Sequence, residues 1–177
     1  GYPMSEYQYY EFRALDRPLS KPEQAELRRC SSRASITSSR FVNEYQWGDF
    51  RGEPEVWMKR YFDAHLYFTN WGSSCLMLRL PHSALDNPLL AAFVQPTLSD
   101  AGSGFADALE LISTAEHWVL AWRFNDDSGY SDRFCDEEGA EWLDRLLPLR
   151  DELLGGDSRP LYLGWLARVC EIGRASC

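Results

Sequence analysis

One stretch decides the fold: His65-Leu66-Tyr67-Phe68-Thr69-Asn70-Trp71-Gly72-Ser73-Ser74-Cys75-Leu76-Met77-Leu78-Arg79-Leu80. Its second half alternates, with Leu76, Leu78 and Leu80 on one side and Met77 and Arg79 on the other. A strand with one face towards a core has this period of two. The Gly-Ser-Ser sequence in the middle predicts a turn. We therefore predict a β-hairpin at the centre of the fold.

A second hairpin is predicted further along the chain, from residues 109–115 and 118–124 with Glu116-His117 at the turn. Its second strand places four large apolar residues on one face: Trp118, Leu120, Trp122 and Phe124. We expect this face to belong to the core.

The chain before the first hairpin predicts a strand, a helix and another strand. Residues 7–15 are rich in aromatic side chains, which favour strands. Ser20-Lys21-Pro22-Glu23 matches a capping box and predicts a helix over residues 21–31. Residues 36–47 read as a second strand. We expect a βαβ unit with parallel or neighbouring strands.

Further helices complete the pattern. Pro54 opens one helix, Asn87-Pro88 caps a short one, and residues 141–154 form an amphipathic one that Pro148 should kink or split. Pro160 opens a last helix. The order β-α-β-α-ββ-α-ββ-α-α indicates the α+β class. We expect a mixed, mostly antiparallel sheet built from the βαβ unit and two hairpins, helices covering one face, and two C-terminal helices.

The composition is that of a globular domain. The chain has 177 residues, of which 45% are hydrophobic and 14% aromatic, so we expect one domain over residues 4–172. Residues 1–3 and 173–177 are expected to be expression or truncation remnants. No apolar run is long enough to predict a membrane span. The five cysteines are scattered and form no C-x-x-C pair, which predicts reduced thiols and a cytoplasmic protein.

The charge is unevenly distributed. The net charge is -9, but residues 1–60 carry +1 and residues 61–177 carry -10. Such an acidic chain argues against general nucleic-acid binding. One segment is an exception, because serines there alternate with arginines that could hold a phosphate: Arg28, Arg29, Arg33 and Arg40. Binding of RNA or a nucleotide through this segment is one alternative function.

A polar and aromatic group predicts a shallow cleft. Its members are Asn43, Glu44, Tyr45, Trp47 and Asp49, joined by Tyr67, Asn70 and Trp71. Glu44 and Asp49 are the carboxylate pair to test for acid–base chemistry. A small-molecule-binding or hydrolytic enzyme is therefore a second alternative, although such residues often only bond to the local backbone.

Motifs for metals and cofactors are missing from the sequence. The histidines His65, His82 and His117 stand in no H-E-x-x-H pattern. The acidic residues 126–132 lack the register of a calcium loop, and Gly102-Ser103-Gly104 lacks the lysine of a phosphate-binding loop. We predict no metal site, no catalytic residue and no cofactor.

Several stretches carry a resemblance to a known family. They are Phe41-Val42-Asn43-Glu44-Tyr45-Gln46-Trp47-Gly48-Asp49-Phe50, Arg60-Tyr61-Phe62-Asp63-Ala64, Asn70-Trp71-Gly72, Leu76-Met77-Leu78-Arg79-Leu80-Pro81 and Leu161-Tyr162-Leu163-Gly164-Trp165-Leu166. Together they resemble the N-terminal region of a family of uncharacterised bacterial proteins with no assigned activity. Members of the family are longer, so the resemblance implies a truncated or stand-alone version whose last helix once packed on a further domain.

The leading hypothesis is a non-enzymatic interaction module that binds a protein partner or a second copy of itself. The predicted last helix presents an apolar interface: Leu161, Tyr162, Trp165 and Val169. An exposed stripe of this kind marks a contact surface. The two alternatives above remain open.

Overall fold

The computed structural model describes residues 7–46, 50–85, 109–125 and 139–157. The strands are β1 (Gln8–Arg13), β2 (Ser35–Ile36), β3 (Arg40–Tyr45), β4 (Ala64–Thr69), β5 (Ser73–Pro81), β6 (Leu109–Ser113) and β7 (His117–Asn125). The helices are α1 (Lys21–Cys30), α2 (Pro54–Arg60), α3 (Gly139–Leu154) and a 3-10 turn at His82–Leu85. Strands and helices in this proportion confirm the α+β class.

The seven described strands form one sheet in the order β2-β3-β1-β4-β5-β7-β6. Every pairing among them is antiparallel. Both predicted hairpins are present, with β4 paired to β5 and β6 paired to β7. In the first hairpin, Gly72 takes a φ of 104°, a left-handed conformation that glycine adopts without a Cβ clash.

The predicted βαβ unit is corrected in one respect. The expected strand over residues 36–47 is two strands, because Thr37 to Arg40 form a tight turn in which the Thr37 N–H donates to the Arg40 carbonyl at 2.8 Å. This turn reverses the chain, so β3 enters the sheet beside β1 from the opposite end. The register from Gln8↔Tyr45 to Arg13↔Arg40 is therefore antiparallel and not parallel.

Helices cover both faces of the sheet, and the prediction of one covered face is wrong. On one face α3 packs Trp142, Leu143, Leu146, Leu149 and Leu153 against the sheet; on the other, α1 and α2 contribute Leu27, Trp57 and Met58. The physical reason lies in the strands. Neighbours such as Met77 and Leu78, or Val119 and Leu120, point to opposite faces and are all buried, so each face needs a cover.

The helix α3 runs without a break from Gly139 to Leu154, so the predicted split at Pro148 does not occur. Pro148 lies on its exposed side, where the missing N–H leaves a carbonyl that water can reach. Of the described helices, none is long and apolar enough to cross a membrane. The short helix predicted after Asn87-Pro88 and the last helix from Pro160 lie outside the described residues.

Candidate anion-binding site

The site begins with α1, whose direction is set at its first turn. The Ser20 side chain accepts from the Glu23 N–H, and the Glu23 carboxylate accepts from the Ser20 N–H at 2.9 Å, which is the predicted capping box. Leu27 is buried beneath the helix. With Leu27 facing the sheet, the last turn presents Arg29 and Cys30 to solvent.

The turn after α1 is held by one arginine. Arg28 Nη1 donates to the carbonyl oxygens of Ser32 at 3.0 Å and Ala34 at 2.6 Å, and more weakly to that of Ser31 at 3.4 Å. Charged donors near a helix C-terminus also complement the helix dipole. Arg28 is therefore committed to the local backbone and fixes the position of the residues that follow.

The same turn is joined to β3 through Tyr45. Asn43 Nδ2 donates to Tyr45 Oη at 2.7 Å, and Ser31 Oγ lies 3.2 Å from the same oxygen. The Tyr45 ring packs edge-on against Tyr10 and Phe50, with centroids 5.8 and 6.3 Å away. These contacts fix the distance between the turn and the strand.

A pocket of about 580 Å³ lies between the turn and β3. Its described lining is polar: Arg29, Cys30, Ser31, Ser32, Arg33, Asn43, Glu44, Tyr45, Gln46 and Arg51. Three of these residues are arginines, and Glu44 is the one acid among them. The guanidinium groups of Arg29, Arg33 and Arg51 make no hydrogen bond or ion pair with any residue that the structure describes. The pocket is a positive site on a chain of net charge -9.

The pocket unites residues that the sequence assigned to two different alternatives. Asn43, Glu44 and Tyr45 come from the predicted polar–aromatic cleft, whereas Arg29 and Arg33 come from the predicted phosphate-binding segment. The antiparallel turn of β2 into β3 brings them together. Arg51 was missed, because its place beside them depends on the stacking of Phe50 on Tyr10, on the face of the sheet that α1 and α2 cover.

Arg40 does not belong to the pocket, which corrects the predicted arginine segment. Its Nε donates to Glu11 Oε2 at 3.0 Å, on the other face of the sheet from Asn43 and Tyr45. Glu11 is fully buried and also accepts from Tyr9 Oη at 2.6 Å. Arg40 therefore compensates a buried carboxylate, as burial of a charge requires.

The remaining cleft residues lie elsewhere. Tyr67 faces Asn43 across β1, with Tyr10 between them. Asn70 Oδ1 accepts from the Tyr7 N–H at 3.1 Å, so this residue ties the hairpin turn to β1. Trp71 is 45% exposed in that turn. Trp47 and Asp49 lie outside the described residues, so the pairing of Glu44 with Asp49 stays a prediction.

A second pocket, of about 610 Å³, lies under α2. It contains Cys75 and His65, but neither is in a reactive state. Burial raises the pKa of the Cys75 thiol to about 12 and lowers the pKa of His65 to about 3, so the thiol is protonated and the imidazole neutral near pH 7. Arg123 at its edge is paired with Glu55 at 2.8 Å. The second pocket therefore holds no activated nucleophile in its described lining.

Metal ligands do not converge in the described part of the chain, where no group of three or more His, Cys, Asp or Glu side chains could hold an ion. The predicted interface residues Leu161, Tyr162, Trp165 and Val169 lie outside it. Within the described ranges, the arginine pocket thus brings together three guanidinium groups that have no hydrogen-bond or ion-pair partner there.

No protein-family model matches this chain, and no curated protein and no solved structure is significantly similar to it. The resemblance to uncharacterised bacterial proteins therefore stays a prediction, and the site is interpreted from its geometry and chemistry.

Proposed function

We propose that this domain is a non-enzymatic binding module that takes an anionic group of its partner into the pocket between α1 and β3. The observation that carries the proposal is the set of three arginines, Arg29, Arg33 and Arg51, whose guanidinium groups have no partner among the described residues. Proteins seldom gather like charges without a counter-charge, because their repulsion costs free energy. An anionic ligand would supply that counter-charge.

The surrounding side chains suit the same ligand. A guanidinium presents a planar fork of N–H donors that matches a carboxylate or a phosphate. Ser32 adds a hydroxyl group, and the Asn43 amide and Tyr45 hydroxyl are already fixed by hydrogen bonds to each other. A site whose donors are held before binding loses less entropy when the ligand arrives.

The protein-interaction hypothesis and the anion site are compatible. A partner that presents carboxylates or a phosphorylated side chain would satisfy both. The enzyme alternative has less support, because Glu44 is exposed and stands alone among acids in the described lining. Recognition of a nucleotide or RNA remains the alternative use of the same arginines.

The test uses isothermal titration calorimetry with two simple probes, inorganic pyrophosphate and citrate. The test variant carries Arg29→Gln, Arg33→Gln and Arg51→Gln together. We expect binding of at least one probe to the unmodified protein. Hydrogen bonds to charged groups contribute about 1.5–3 kcal/mol each, so each arginine that contacts the anion should change Kd by about tenfold or more.

The matched control removes the same charge elsewhere, with Lys21→Gln, Lys59→Gln and Arg60→Gln, all exposed positions away from this pocket. The control variant should bind as the unmodified protein does. Equal affinities of the test and control variants for both probes, or no binding at all to the unmodified protein, would contradict the proposal.

A further inference from the structure

We infer that the occupant of the pocket is an acidic, extended segment of a partner protein, bound as an additional strand on the outer edge of β3. This inference rests on the proposed anion-binding function and adds the class of partner and its mode of binding. Its first support is the place of the pocket in the sheet.

The outer edge of β3 is only partly covered. The short strand β2 pairs Ser35 with Val42 and Ile36 with Phe41, and among the described residues no strand lies beside Asn43, Glu44 and Tyr45 on that side. Residues 31–34 leave the line of β2 and form the turn that Arg28 holds. The pocket is the gap where a longer β2 would have continued.

The backbone at this edge is oriented to accept a strand. The Arg40 carbonyl accepts from the Thr37 N–H on the β2 side. In an antiparallel strand, residues two apart direct their N–H and C=O groups to the same side. Val42 and Glu44 therefore direct theirs outwards too, and β2 pairs with Val42 but ends before it reaches Glu44. The Glu44 N–H and C=O are left for a strand added at this edge.

The positive charge of the pocket determines which side chains the added strand should carry. Side chains on one face of an extended peptide recur every second residue, about 7 Å apart at 3.3 Å per residue. A peptide that continues the line of β2 would pass Arg29 and Arg33 on the α1 side of the sheet. Acidic residues at alternate positions would then meet successive arginines, whereas basic residues would be repelled.

Nucleic acid fits the described site less well than a peptide does. Base stacking needs an aromatic ring with an open face, and Tyr45 is the one aromatic residue in the described lining. Its ring packs on Tyr10 and Phe50, and its hydroxyl bonds to Asn43.

The first arm of the test measures fluorescence anisotropy with a labelled peptide, Glu-Val-Glu-Val-Glu-Val-Glu. The control peptide has Lys in place of every Glu. Two further peptides carry N-methyl groups on alternate residues, one set on the Glu positions and the other on the Val positions. We expect the acidic peptide to bind and the Lys peptide to bind at least tenfold more weakly. One N-methyl set should weaken binding at least tenfold and the other less than threefold, because only one set faces β3.

The second arm changes the protein. Glu44→Pro removes the outward N–H at an edge position where proline is tolerated. It should bind the acidic peptide at least tenfold more weakly than Glu44→Gln does, whereas the two variants, which both lose the Glu44 charge in the pocket lining, should bind pyrophosphate or citrate equally. Glu44→Gln keeps the N–H and should bind the peptide at least as tightly as the unmodified protein. If Glu44→Pro does not fold, the N-methyl peptides decide alone.

The outcomes separate the two proposals. Arginine-dependent binding of the small anions together with equal effects of both N-methyl sets would overturn strand addition and leave the anion site in place. Tighter, arginine-dependent binding of a labelled oligouridylate than of the acidic peptide would overturn the peptide in favour of RNA. If the unmodified protein bound neither pyrophosphate nor citrate, both proposals would be overturned.

Discussion

Arg79 and Asp63 form a buried ion pair in which Nη2 and Nε of the arginine lie 2.9 and 3.2 Å from the same carboxylate oxygen, Oδ1. The other oxygen, Oδ2, accepts from the backbone N–H groups of Leu15 and Asp16. Arg79 Nη1 also donates to the Met58 carbonyl at the end of α2. The pair thus joins β5, the chain after β1 and the end of α2 in one network, which keeps α2 against the sheet.

Removing the Asp63 charge should destabilise the fold strongly. Burial raises the pKa of the carboxyl, but the Asp16 and Leu15 N–H groups and Arg79 bring it below its ordinary value. Asp63 therefore stays charged and stabilising down to about pH 4, and its contribution is lost as the pH falls through the folded-state pKa. Breaking a buried pair costs about 3–5 kcal/mol, so Asp63→Ala should lower the free energy of unfolding in urea by that amount near pH 7.

The control for Asp63 is an exposed pair. Glu141 and Arg145 lie one turn apart on α3, 3.2 Å from oxygen to nitrogen and largely in water. Glu141→Ala should change the free energy of unfolding by about 0.5 kcal/mol or less. Similar losses for the two variants would mean that the buried network is not what holds α2 in place.

His65 should make the fold less stable in mild acid. Burial lowers its pKa to about 3, against the opposing effect of the Glu11 carbonyl, which lies 2.8 Å from Nδ1. The unfolded chain has an ordinary histidine with a pKa of about 6.5, so between these values it binds one proton more than the folded state does. The contribution is complete above pH 6.5, and stability falls by about 1.4 kcal/mol per pH unit below it.

Urea unfolding at pH 5.0, 5.5 and 6.0 measures this slope, in a window above the titration of Asp63. His65→Gln should reduce the slope by about 1.4 kcal/mol per pH unit, whatever its effect on stability at pH 7. His117→Gln is the comparison variant: burial also lowers the pKa of His117, but its side chain is half-buried, whereas that of His65 is buried. An unchanged slope in His65→Gln would show that the imidazole becomes charged within the fold.

Substitution of Pro148 should stabilise the fold. It lies within the continuous helix α3, on its exposed side. Proline inside a helix removes one backbone hydrogen bond and costs up to about 3 kcal/mol relative to alanine, although it also restricts the unfolded chain. Pro148→Ala should raise the free energy of unfolding by about 1–3 kcal/mol. Destabilisation would mean that the proline fits a bend on which the packing of Trp142 or Leu153 depends.

Local sequence signals predicted much of this fold. The Gly-Ser-Ser turn of the first hairpin, the capping box at Ser20 and the apolar stripe of α3 each depend on residues a few positions apart. Such signals determine the conformation of a single element. They do not determine which face of the sheet an element covers. Met77 and Leu78 point to opposite faces and are both buried, which shows that helices lie on both sides of the sheet.

The candidate site was predicted only in fragments for the same reason. Arg33 and Asn43 are ten positions apart but share a pocket because the turn after β2 reverses the chain. Arg51 joins them through ring stacking between Phe50 and Tyr10, 4.3 Å apart and from distant parts of the sequence. Contacts of this kind depend on tertiary packing, and no periodicity in the sequence reports them.

Gly52 is the position at which stability and the pocket should change together. A Cβ atom there would lie 2.5 Å from Trp57 Cζ2 and 2.6 Å from Phe50 Cζ, closer than carbon atoms approach in folded proteins. Trp57 is buried, so the ring cannot move aside without repacking. Gly52→Ala should cost about 1–3 kcal/mol of unfolding free energy and, by displacing the adjoining Arg51, weaken pyrophosphate or citrate binding.

Gly155→Ala gives the matched glycine control, because the nearest atom to a Cβ there is the Asp151 carbonyl oxygen at 3.4 Å. This variant should change stability by about 0.5 kcal/mol or less, as most surface substitutions do, and leave anion binding as it is. Thermal unfolding and calorimetry of the two variants separate the effects. If Gly52→Ala destabilised the fold but kept full affinity for the anion, Arg51 would not be a ligand, and the pocket would depend on Arg29 and Arg33.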